Sequence, residues 1–101
     1  MDLVQIKSKV SEIYDNFVNH ENFKNNNFDE LRYKEAFLND VDRLFDTPYE
    51  SHGFMGSYSY VNDGVKFIEF NLNDAPSISD RSGTIEWFSQ LVLKTHENLG
   101  K

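Results

Sequence analysis

The strongest constraint on what this chain can fold into is a change of hydrophobic period halfway along it. Phe54, Tyr58, Tyr60, Ile68, Phe70 and Leu72 alternate with Ser57, Ser59 and Glu69, and a period of two belongs to strands with one buried face. The alternation breaks at Val61-Asn62-Asp63-Gly64-Val65. A three-residue loop there, with Gly64 in the left-handed region, closes a hairpin with a bulge. Pairing Val61 with Val65 sets Tyr58 opposite Ile68 and Gly56 opposite Phe70, and it gathers the six apolar residues on one face. The glycines of Gly53-Phe54-Met55-Gly56 read as a tight turn into the strand, since a phosphate loop needs a Gly-Lys-Ser/Thr ending.

Elsewhere the period is helical. In residues 2–19, Leu3, Ile6, Val10, Ile13, Tyr14 and Phe17 share one arc, opposite Ser8, Glu12, Asp15 and Asn19. A polar loop runs from His20 to Asn27. Asn27 or Asp29 then caps a second helix that carries Leu31, Phe37, Leu38, Val41, Leu44 and Phe45 to about Asp46, before Pro48 stops it. After a polar connector from Asp74 to Gly83, Ser82 or Thr84 caps a last helix over about residues 84–98. Its stripe is Ile85, Phe88, Leu91, Val92 and Leu99, and it ends near Gly100. The expected fold is therefore α+β: two N-terminal helices, a hairpin over about residues 54–72, and a C-terminal helix packed on one face of the hairpin. Phe17, Val41, Phe45, Ile68, Phe70 and Phe88 are expected in one core.

With 101 residues the chain makes one small domain, 1–101, because two cores of half that size would not hold themselves together. Fifteen aromatics supply the buried area. No cysteine is present, so no disulfide or thiolate site is expected and a reducing cytosol is the natural compartment. Residues 1–7 lack a basic segment followed by an apolar one, so no signal peptide is expected. No apolar run nears the ~20 residues of a membrane span. Alanine occurs only at 36 and 75 while Asn, Phe and Lys are frequent, a bias that fits an AT-rich bacterial or phage genome.

Charge narrows the partners. Seventeen acids face ten bases, for a net charge of −7, which repels nucleic acid and anionic lipid and suits a basic protein. Residues 1–50 hold eleven acids against six bases. On the second helix Glu35, Asp42 and Asp46 fall within about 40° of one another, either as an ordinary solvated face, with Arg43 placed to pair with Asp46, or as a stripe for lysines and arginines on a partner. On the last helix Leu93 projects about 140° from Phe88, and Trp87 flanks the apolar stripe. Trp is enriched at binding hot spots, although it equally covers core edges.

Motifs for chemistry are absent. His20 beside Glu21, His52 two residues from Glu50, and His96 have no metal-ligand spacing. Asp40-Val41-Asp42 lacks the Gly and Glu of a calcium loop, and no serine sits in a nucleophile elbow. No cofactor is expected.

In size and charge alone the chain is similar to small acidic bacterial and phage proteins that act by binding: immunity proteins, antitoxins, and anti-restriction and anti-CRISPR inhibitors. The likeness implies carboxylates presented in place of phosphates, as in a DNA mimic. The expected function is a cytosolic, non-enzymatic protein that neutralises a basic protein, such as a nucleic-acid-binding one, through Glu35, Asp42, Asp46, Trp87 and Leu93. An alternative is a homo-oligomeric structural or regulatory subunit, a homodimer being the simplest case. A third is a small enzyme or ligand-binding domain using His52 with Glu50.

Overall fold

The chain follows the helix, helix, sheet, helix order, with one strand more than the alternation announces. A computed structural model describes residues 2–20, 29–44 and 49–99. The elements are α1 (Leu3–His20), α2 (Glu30–Asp42), β1 (Glu50–Phe54), β2 (Ser57–Asn62), β3 (Val65–Asn71), a 3-10 turn (Leu72–Asp74) and α3 (Arg81–Leu99). The fold is α+β: two N-terminal helices, an antiparallel sheet in the order β1-β2-β3, and a C-terminal helix that packs chiefly against α1 and also touches β3.

Helix ends follow local chemistry. Asp29 caps α2, its carboxylate accepting from the Arg32 amide at 3.2 Å. On α3 the cap is Asp80, whose Oδ1 accepts from the Gly83 amide at 3.0 Å. It therefore displaces both expected caps, Ser82 and Thr84, and the helix starts at Arg81. Thr84 is buried and donates its hydroxyl to the Ser77 carbonyl at 3.0 Å.

Phe37 of α2 joins the three helices. Its ring lies 5.8 Å from Tyr14 and 5.5 Å from Phe17 on α1, and 4.8 Å from Phe88 on α3, in the range where tilted and edge-on aromatic pairs are favourable. Ile6, Val10, Leu38, Val41, Leu72, Ala75, Ile78, Ile85, Leu91 and Val92 complete the buried cluster. Tyr14 reaches the Ile78 carbonyl at 2.7 Å, and the buried Lys34 donates to the Ala75 carbonyl at 2.8 Å. These bonds tie the connector before α3 to both N-terminal helices and satisfy polar ends that burial would otherwise penalise. Phe17, Val41 and Phe88 are buried as expected, Ile68 and Phe70 pack half-buried against them, and Phe45 lies outside the described residues.

The hairpin forms with a shifted register. Asp63 and Gly64 both have positive φ, 52° and 79°, so the loop is a two-residue turn with Asn62 opposite Val65, not three residues with Val61 opposite Val65. A bulge between Tyr60 and Val61 follows, after which Tyr60 pairs with Ile68 and Tyr58 with Phe70. Tyr58 thus does not face Ile68. The net slip is two residues, and an even slip preserves which face each side chain takes. Tyr60, Ile68 and Phe70 still face the helices.

β1 is the added strand, joined to β2 by a turn at Met55 and Gly56, whose φ values are 50° and 91°. Gly56 therefore sits in a turn and not opposite Phe70. Phe54 pairs with Ser57, takes the outer face with it, and is 78% exposed, contrary to the expectation of a buried Phe54.

Candidate functional site

The acids of α2 meet the sheet. Tyr58 and Tyr60 alternate onto the face of β2 that α2 covers, and each phenol finds a carboxylate there. Tyr58 Oη donates to Glu35 Oε2 at 2.6 Å, and Tyr60 Oη donates to Asp42 Oδ1 at 2.7 Å. Tyr49 donates to the same Asp42 oxygen at 3.0 Å. Glu35 and Asp42 stand two helical turns apart and the two tyrosines two residues apart on one strand face, so their bonds dock α2 on the sheet. Among the described residues no cation pairs with Asp42. Burial raises its pKa, opposed by the two tyrosine bonds. Burial also raises Tyr60 and Tyr58, and the carboxylates facing them add to the effect.

The stripe expected to stand free is thus engaged within the molecule. Glu35 and Asp42 are half-buried, not exposed, while Asp46 lies outside the described residues. Arg43 pairs with Asp40 at 3.6 Å. Buried phenols demand partners, and acids flanking an apolar helical stripe are the nearest acceptors. That signal was present in the alternation of Tyr58 and Tyr60.

Gly53 makes the seam possible. It lies opposite Tyr58, whose ring passes so close that a Cβ on Gly53 would stand 2.2 Å from Cε1. On its other neighbour the same ring stacks nearly parallel to Phe70 at 5.6 Å.

His52 and Glu50, on the outer face of β1, are 3.1 Å apart and both exposed. A shallow hollow of about 320 Å³ near the Asp63–Gly64 turn is lined by Glu50 and not by His52. His96 is exposed, and the His20 side chain falls outside the described set. Among the described residues no three His, Asp or Glu side chains gather in a way that could hold a metal ion.

Trp87 lines an apolar hollow. Its indole lies 6.2 Å from Phe70 and 5.0 Å from Phe88, and it lines a groove of about 460 Å³ between β3 and α3 with Ile68, Phe70 and Leu91. Glu86 and Lys94 stand on the rim, and Glu86 also pairs with Lys7 of α1. Leu93, expected to point outward, is half-buried against the core and does not line this groove. The structure therefore separates Trp87 from Leu93 and from the α2 acids, and it supplies a groove that helical and strand periodicities cannot reveal, because it lies between elements.

Among the described residues no helix is long and apolar enough to cross a membrane. No family model, curated protein or solved structure matches the chain.

Proposed function

We propose that this protein acts by binding, without turnover, and that it neutralises a basic protein partner in a reducing cytosol. The observation that carries the reading is the net charge of −7 on 101 residues, which speeds encounter with a basic surface and discourages nucleic acid and anionic membranes. Trp87, half-buried beside an apolar groove, is the natural anchor once the surfaces meet. Glu35 and Asp42 keep lone pairs beyond those the tyrosines use, so they add to the field, but their engagement in the seam moves the expected contact toward the groove.

The alternative is a homo-oligomeric structural or regulatory subunit. It is favoured by Phe54 and Met55, 78% and 73% exposed at one end of the β1 edge, an arrangement that invites self-pairing.

Affinity capture from the native host's lysate, run at low and high salt, tests the first reading. A basic protein should be retained at low salt and released as screening shortens the reach of the charges. A Gln90→Trp variant, which fills the groove from its rim, should lose it. Direct nucleic-acid binding by the purified chain, turnover of a substrate through His52, or salt-insensitive self-association in its place would defeat the proposal.

A further inference from the structure

Ile68, Glu69 and Phe70 of β3 line the groove together with residues of α3. β3 is an edge of the sheet, pairing with β2 alone among the described strands. An edge strand leaves backbone N–H and C=O groups along one side without a ladder partner, and across the groove from β3 stand Trp87 and Leu91 of α3. The bulge of β3 falls next to its turn, opposite Tyr60 and Val61, so residues 68–71 keep regular pairing geometry.

We propose that this edge takes up an extended segment of a basic partner protein as a fourth strand, with apolar side chains turned toward Trp87 and Leu91 and lysines or arginines between them. This deepens the basic-partner reading and rests on it. An unpaired strand edge selects an extended backbone, and the wall behind it selects apolar groups at every second position. The chain's net charge of −7 selects the rest. Glu69, Glu86 and Lys94 line the groove; the carboxylates are held by Lys66 and Lys7 respectively, Glu86 also accepting from Gln90, in exposed contacts that contribute little and that a partner's cation can replace. A second copy of the chain would bring another −7 to the contact. The opposite edge, β1, offers no such wall, since all five of its residues are exposed.

The test uses the full-length, isotope-labelled protein and a capped synthetic peptide in which lysine alternates with valine. Binding should shift the amide resonances of residues 68–71 and slow their hydrogen exchange. The same peptide with alternate backbone nitrogens methylated should bind about tenfold more weakly or worse, as expected for losing one or two net hydrogen bonds. A glutamate–valine peptide should not bind, and Gln90→Trp should weaken binding while melting like wild type. Equal binding of the methylated peptide overturns strand addition and leaves the basic-partner reading standing, whereas equal binding of the glutamate peptide overturns that reading itself. Shifts confined to β1 or α2, no shift at millimolar peptide, or a sedimenting dimer whose β3 amides are already protected would each overturn the proposal.

Discussion

Replacing Gly53 with alanine tests whether the acid–tyrosine seam is as tightly built as its geometry requires. The added methyl would stand 2.2 Å from Cε1 of Tyr58 and 2.6 Å from Cδ1 and Cζ, far inside the roughly 3.5–4.0 Å optimum for carbon contacts. The ring has to swing away. With it goes the 2.6 Å bond to Glu35, and a hydrogen bond to a charged acceptor contributes about 1.5–3 kcal/mol. The stack on Phe70 goes too, at about 0.5–1.5 kcal/mol. Alanine returns about 0.4–1 kcal/mol by narrowing the unfolded ensemble. Tyr58 and Glu35 are only half-buried, so the low end of this balance applies, a net loss of about 1–2 kcal/mol. Urea denaturation of Gly53→Ala, Tyr58→Phe and the double variant measures it. Tyr58→Phe removes only the hydroxyl, so the double variant should cost less than the two singles together. An unchanged midpoint for Gly53→Ala, or strict additivity, would show that the ring admits the methyl without leaving Glu35.

Three further perturbations address other parts of the molecule. Burial raises the Asp42 pKa in the folded state, so its contribution to stability is fully present below the unfolded carboxylate pKa and is lost as pH rises through the folded one; Asp42→Asn should flatten that decline, and parallel wild-type and variant curves of unfolding free energy against pH would refute the assignment. Gly64→Val meets no atom within 4 Å but must hold φ near 79°, so it should cost about 1–2 kcal/mol through backbone strain alone, and a wild-type melting temperature would contradict the turn. Ser89 is fully buried and its Oγ has no hydrogen-bond partner among the described residues; Ser89→Ala should therefore leave stability unchanged or raise it by about 1 kcal/mol, and a loss of that size in thermal melts would reveal a partner for the hydroxyl.

What could be read from the sequence was what local periodicity encodes. The α1 stripe of Ile6, Val10, Tyr14 and Phe17 is buried on its arc, Asp29 caps α2, and Gly64 has positive φ. The register escaped because a shorter turn and a bulge compensate each other, and a two-residue slip leaves the apolar pattern unaltered. β1 escaped because all of its residues are exposed and Gly53 is there to accommodate a neighbour's ring, so no alternation marks it. The half-burial of Glu35 and Asp42 escapes the sequence for a related reason. Angular position distinguishes apolar from polar faces, but Glu35 and Asp42 sit where the polar margin meets the phenols of another element, and only the assembled sheet brings those phenols within reach. The groove beside Trp87 belongs to the same class of feature.

Trp87 is the only tryptophan in the chain, and it stands between Phe88 in the core and the hollow beside β3. All indole emission therefore originates at one point of the fold. Loss of the Phe70 and Phe88 contacts on unfolding and exclusion of solvent on filling the hollow act on opposite sides of the same fluorophore, so two processes can be followed without any label. Because the chain has no cysteine, one introduced at exposed Ser57 on the outer face of β2 would be a unique attachment point for an acceptor dye. Energy transfer from Trp87 to that dye would then give a single-distance ruler across the sheet.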